Sequence, residues 1–271
     1  MKNHKYKVVV LSDLKEATEN SLKSTISLVR NLGADIKFFH VKKPTDVVKR
    51  DSQLSTFRTI NEQHNITTKH IENLIKSVSK TYDVNIDYSH AFGNVKNEIQ
   101  DYLNEHQPDI VVLGKRKIKT MGLIGDSITK FVLKAHKGTI LVVGNENTLD
   151  PDIDLSIGVL NSNGLNNNES LVNDLLLQSQ KPLKAFKVIN QGQEQEKVEI
   201  TSNNKVVEYV FERNDNTISN LSKYLLKSNV NLLYLSRVSK EKDGLKKSDL
   251  KDVIEKLEIP ILLSGESNTL N

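Results

Sequence analysis

The sequence predicts an α/β protein made of two tandem open parallel sheets, each five-stranded with helices on both faces. Three observations predict it. Short runs of Val, Ile and Leu alternate along the chain with longer amphipathic segments. Hydrophobic residues make up 37% of the chain, but aromatics only 5% and there is no Trp, so the core is aliphatic, as buried parallel strands require. The alternating pattern also occurs twice within 271 residues, a length comfortable for two domains.

In the first half, residues 8–11 (Val8, Val9, Val10, Leu11) form an apolar run that stops at Ser12 and Asp13. A helix follows with Leu22, Ile26 and Val29 on one face, ending at Gly33. Residues 36–41 read as the second strand. The long polar region 51–82 spaces Leu54, Phe57, Ile60, Ile71, Leu74, Ile75 and Val78 as a helix does, with a break expected near Asn65. Residues 84–92 alternate as a strand. Residues 95–105 place Ile99, Tyr102 and Leu103 on one helical face. Residues 109–113 form a buried strand that ends at Gly114. After a loop, a helix is expected over 127–136 and a fifth strand over 139–143. Strands that alternate with helices in this way pair in parallel through right-handed crossovers.

The second half repeats the plan. Residues 94–114 align without a gap on 216–236, so that Ile99 meets Leu221 and Tyr102-Leu103 meets Tyr224-Leu225. Val132-Leu133 meets Val253-Ile254, and Thr139-Ile140-Leu141 meets Pro260-Ile261-Leu262. A period this long signals domain duplication. The expected domains are 1–145 and 154–271, separated by a stretch rich in Asn, Glu, Asp and Pro151. The halves differ between their second and third strands. Residues 190–204 are too short and polar for a packed crossover helix, and a loop or hairpin is expected there.

The bulk numbers exclude several classes. The 38 basic and 34 acidic residues leave a net charge of +4, without the concentrated basic face of a nucleic-acid binder. With no Cys there are no disulfides and no thiolate metal sites. No segment has the length of a membrane span, and the amino-terminal apolar run is too short for a signal peptide, so a cytoplasmic protein is expected. His64 and His70 lack the spacing of a metal pair, and no nucleophile–base pair or carboxylate dyad points to an enzyme.

Ligands of open parallel sheets bind at the carboxyl ends of the strands. Three stretches converge there: Ser12-Asp13, His40-Val41, and Gly114 with the loop that leads to Ser127. Gly114 is read as the point where a ligand approaches the backbone. Gly122 and Gly125 keep the loop pliable, and Lys115, Arg116, Lys117 and Lys119 add positive charge. Ser127 is a suitable N-cap for a helix start that would attract phosphate.

These residues resemble the universal stress protein family. The resemblance rests on 8–13, on 36–41 with its His-Val ending, on Gly93, on Val111-Val112-Leu113-Gly114, on Gly125-Asp126-Ser127-Ile128, and on the apolar pairs that follow. It covers nearly all of 1–145 and the second half more faintly. It implies an adenine nucleotide alpha hydrolase-like fold. It also implies that Asp13 and Val41 hold adenosine, while Gly114, Ser127 and Ile128 line the phosphate and ribose side for ATP with Mg²⁺; Lys115, Lys117 and Gly125, on the same loop, complete the candidate site. The family pattern G-x-x-G-x9-G-[S/T] is altered here. Lys117 replaces its second Gly, Asp126 stands before Ser127 with Gly125 displaced by one, and the loop is one residue short. Asp126 places a negative charge beside any phosphate.

In the second half Ser162 stands where Asp13 does, Ser236 where Gly114 does, and Lys247 where Asp126 does, so no nucleotide is expected there. The resemblance further implies that the halves join through their last strands, 139–143 against 260–263, as an intramolecular pseudo-dimer open to further pairing between chains. Two functions follow: a stress-response sensor that binds an adenine nucleotide in its first half with little or no turnover, and a nucleotide-free member that works through protein contacts. A nucleotide-dependent transferase or ligase would need a Gly- and Ser-rich loop after the first strand, and Ser12-Asp13-Leu14-Lys15 is not one.

Overall fold

The computed structural model describes residues 6–43, 53–115, 127–144, 146–161, 170–179, 181–190, 205–237 and 247–265. Its first half runs β1 (Tyr6–Ser12), α1 (Ala17–Leu32), β2 (Ala34–Lys42), α2 (Gln53–Tyr82), β3 (Ile86–Phe92), α3 (Val95–His106), β4 (Ile110–Gly114), α4 (Ser127–Ala135) and β5 (Thr139–Val143). The second half runs β6 (Ile157–Leu160), α5 (Ser170–Gln178), β7 (Leu183–Ile189), β8 (Val206–Glu212), α6 (Thr217–Lys227), β9 (Leu232–Leu235), α7 (Lys247–Lys256) and β10 (Ile261–Leu263).

Two expectations are corrected. The two sheets are one. Its ten strands are ordered β3-β2-β1-β4-β5-β10-β9-β6-β7-β8, and the halves meet where β5 and β10 pair antiparallel. The last strands do join, as expected, and in joining they fuse the sheets. The stretch 190–204, where a loop or hairpin is expected, lies outside the described residues apart from Asn190; the strands it connects, β7 and β8, pair in parallel. Finally, α2 continues through Asn65 without a break. Asn65 is exposed, and Ile71 and Ile75 one turn apart anchor the helix to the core. Burial of this kind overrides the weak propensity of a single Asn.

The repeat reappears as symmetry. Strands β1 to β5 and β6 to β10 follow the same order, reversed about the joint. Leu141 faces Leu262, its own counterpart, with Ile140 opposite Leu263 and Val142 opposite Ile261, so a pseudo-twofold axis passes through the Leu141–Leu262 pair.

Alternating strand residues feed two cores, one on each face of the sheet. Val8, Val10, Ile36 and Phe38 pack under α1, α2 and α5, represented by Leu22, Ile26, Ile71, Ile75 and Leu175. Val9, Leu11, Val111 and Leu113 pack under α3 and α4, and the second-half strands under α6 and α7. A fully buried Leu22 or Phe38 stabilises the fold by about 1.5–3 kcal/mol. Helix α1 approaches the sheet closely because its inner face mixes Leu and Ile with Ser21, Ser24, Thr25 and Ser27. Two of these hydroxyls return to the helix backbone, Ser21 to Ala17 and Thr25 to Ser21, at 2.8 and 2.7 Å. Ser24 accepts the Leu149 N–H at 3.0 Å, fixing the chain between the halves. Gly33 ends α1 in the left-handed region, φ 64°, donating to the Val29 carbonyl.

Candidate functional site

The carboxyl ends of β1, β2 and β4 surround a cavity of about 780 Å³, within the size range of small-molecule sites. Its apolar wall includes Leu11, Phe39, Val95, Ile99, Leu113 and Ile128; Ser12, Asp13, Thr67, His70, His40 and Lys42 supply polar groups. Of the residues singled out in the sequence, Asp13, Val41, Gly114, Lys115 and Ile128 line it together. Ser127 opens α4 as expected. Lys117 and Gly125, with Gly122 and Asp126, lie outside the described residues.

The β1 exit is a tight turn. The Leu14 N–H donates to Ser12 Oγ at 3.0 Å, and the Lys15 N–H donates to Asp13 Oδ1 at 3.1 Å. Leu14 adopts φ 58°, uncommon for a bulky residue and costing of order 1 kcal/mol or more. His40 is buried at the end of β2, with Nδ1 2.8 Å from the Ser12 carbonyl. Burial holds its pKa below the ordinary histidine value despite that bond. The neutral ring therefore carries its proton on Nδ1, since a carbonyl can only accept.

Two site residues behave differently from the sequence reading. A Cβ on Gly114 would lie 2.7 Å from Ala17 Cβ and 2.8 Å from Ser21 Oγ. Glycine thus lets α1 pack closely against the end of β4, where Ala17 and Ser21 also line the cavity. The backbone of Lys115 is pinned by its N–H to the Val143 carbonyl at 2.8 Å, while its ammonium donates to the Leu257 carbonyl at the end of α7. Burial lowers its pKa to about 8, against the raising influence of Glu258 and Glu255.

The position after Ser236, Arg237, is the second-half counterpart of Lys115. It mirrors the contact across the axis. Its guanidinium donates to the Leu133, His136, Lys137 and Gly138 carbonyls at 3.2, 2.8, 2.9 and 2.6 Å, and also to Ser264. Each half thus sends a cation from the end of its fourth strand to the end of the other half's last helix, where helix carbonyls concentrate negative potential. His136 sits beside this cluster. Burial first, then the Arg237 charge, depress its pKa to about 4.

The second half closes its own strand ends. Strand registers place Val188 where Val41 stands: Leu11 pairs with Phe39, Leu160 with Phe186, and each Val lies two residues further on. Asn161 Oδ1 accepts the Val188 N–H at 2.7 Å, and its Nδ2 approaches the Val188 carbonyl at 3.4 Å. Among the described residues, no side chain bonds the Val41 backbone in this way. The sequence reading missed Asn161, Arg237 and Thr67, and weighed His70 only as a metal ligand. An amide immediately before the Asp13 counterpart was the available signal for Asn161, and the gapless alignment, extended by one residue, was the signal for Arg237. No signal marked Thr67 or His70 within their helix.

With this geometry in hand, the universal stress protein family model matches residues 6–144, just over half of the chain. This chain belongs to the universal stress protein family. Of solved structures, a universal stress protein from Archaeoglobus fulgidus DSM 4304 covers 97% of this universal stress protein and 98% of its own length, at 12% identity and TM-score 0.66. A functionally unknown protein from Pseudomonas aeruginosa PAO1 covers 96% and 93%, at 10% identity and TM-score 0.57. At these identities the likeness is one of fold, and it spans both halves. No curated protein matches by sequence. Among the described residues no helix is long and apolar enough to cross a membrane, and no group of three or more His, Asp or Glu is placed to hold a metal ion.

Proposed function

We propose that this universal stress protein binds one adenine nucleotide per chain, in the cavity of its first half, and holds it without turning it over. The observation that carries this reading is the contrast at the strand ends: Val41 borders an open cavity of about 780 Å³, whereas Val188 is bonded by Asn161. The cavity suits a nucleoside. Its apolar wall can cover a base, and the backbone at Val41 can read the base edge. Thr67 supports the reading independently. Its hydroxyl is buried and has no hydrogen-bond partner among the described residues, and such a group is costly unless something bonds it. Asp13 would accept from a ribose hydroxyl, and the start of α4 at Ser127 would face phosphate. The phosphates, when bound, would carry the Mg²⁺ with them.

Gly114 packs against α1 and the Lys115 ammonium is engaged at α7, which favours a second reading, a nucleotide-free protein working through protein contacts. Titration calorimetry with ATP and Mg²⁺ separates the two. The first reading predicts saturable heat at one site per chain and an affinity reduced about 10- to 100-fold in Asp13→Ala, the effect of removing a charged acceptor. Gly114→Asp is a poor probe, since it would disturb α1. Absence of heat with folded protein that carries no nucleotide from purification would select the second reading.

A further inference from the structure

We propose that Lys115 is a latch between the cavity and the joint of the two halves: a phosphate group entering the cavity takes the Lys115 ammonium from the Leu257 carbonyl and loosens the end of α7. The inference rests on the cavity being an anion-binding nucleotide site.

Lys115 belongs to both places at once. It lines the cavity, its backbone is fixed at the end of β4 by the bond to Val143, and its ammonium reaches across to the second half. A lysine stem has four rotatable bonds, so a fixed backbone still lets the charge swing between two acceptors. The present acceptor is a weak competitor. One neutral carbonyl holds a partly buried cation, with Glu258 and Glu255 acting only from a distance, and burial already disfavours the charged form. A phosphate offers full negative charges and several oxygens, which make the stronger, charge-assisted bond. Arg237 shows what a permanent fastening looks like at the symmetric position. Its planar fork bonds several carbonyls at once and has no comparable freedom to leave. The pair is therefore unequal, a lock at Arg237 and a latch at Lys115, and the latch lies on the half with the open cavity.

Hydrogen exchange on the full chain tests this, read at the last turn of α7 (residues 253–257). ATP with Mg²⁺, adenosine and inorganic tripolyphosphate are added in turn, with binding followed by calorimetry in parallel. ATP should accelerate exchange there about five-fold, the loss of one hydrogen bond. Tripolyphosphate should do the same, while adenosine, which lacks phosphate, should bind and leave the turn unchanged. Lys115→Met should exchange at the faster rate without any ligand and respond no further. Unchanged exchange while ATP or tripolyphosphate binds would overturn the latch, as would failure of both to bind. Acceleration by tripolyphosphate without any ATP or adenosine heat would retain the latch and remove the adenine reading. Both tripolyphosphate results stand on the native protein, whether or not the Met variant folds.

Discussion

The ends of β1 and β2 and the ends of β6 and β7 are built on one plan and finish differently. In the first half the chain turns out of β1 through Ser12, Asp13 and a strained Leu14, His40 ties the second strand back to Ser12, and a cavity remains beside Val41. In the second half Asn161 reaches sideways and bonds both backbone groups of Val188. The difference teaches that a degenerate repeat need not be an eroded one. One amide at the right position converts an open strand end into a finished piece of structure with its backbone polar groups satisfied. The two halves then specialise: one keeps an opening and the other contributes the surface that the opening is latched to.

The comparison can be broken at several points. The largest expected effects are at the joint. Arg237→Met should cost about 3 kcal/mol in urea unfolding, since it strips a charged partner from several carbonyls at once. Lys115→Met should cost less than about 1 kcal/mol, because removing a poorly solvated charge offsets the lost bond. Equal losses would mean that the two cations are equivalent and that the inequality drawn between them is false.

Acid should act at the same place with a similar size. The pKa of folded His136 is lowered to about 4 from an ordinary value of 6.5. As pH falls from about 6.5 towards 4, the unfolded chain takes up a proton that the folded chain refuses. Stability is therefore fully present above about 6.5 and is lost on the way down, by about 3 kcal/mol. Urea unfolding between pH 7 and pH 4 should show this slope, and His136→Gln should flatten it. An unchanged slope in the variant would place the acid sensitivity elsewhere.

A smaller effect tests the closed strand end. Asn161→Ala leaves the Val188 N–H and carbonyl without their side-chain partner and should cost about 1–2 kcal/mol. It should not create nucleotide binding, because Ser162, not an Asp, follows. Smallest of all is the helix-start pair. The Asn94 side chain accepts the Lys96 and Asn97 N–H groups, so Asn94→Ala should lower stability by about 1 kcal/mol. The Asn216 side chain makes no such cap bond, and Asn216→Ala should fall within about 0.5 kcal/mol of the parent. Thermal unfolding of the two variants side by side decides it.

Much of the fold was legible because it is written locally. Strand runs such as 110–113 and helical faces such as Ile99, Tyr102 and Leu103 announce their own periods, and the family resemblance implied that β5 and β10 would meet. The continuity of α2 was not legible, since Asn65 looks like a stop until Ile71 and Ile75 are seen buried beyond it. The site was half legible. Asp13, Val41 and Gly114 lie at strand ends, where topology alone brings them together. Lys115 was read as a phosphate ligand because its neighbours in sequence are basic. The acceptor that its ammonium bonds is a carbonyl 142 residues away, and no local pattern encodes that. Gly114 was assigned to the ligand for a related reason: glycine marks a close approach but does not say of what, and here α1 makes it.

The central claim, one open strand end and one closed, is tested most directly by mapping hydrogen-exchange protection on the full chain at saturating ATP and Mg²⁺. The account predicts new protection at residues 11–15 and 40–43 and no added protection at 160–161 and 187–190, with one nucleotide bound per chain by equilibrium dialysis. Protection at both sets of strand ends, with two nucleotides bound, would contradict it.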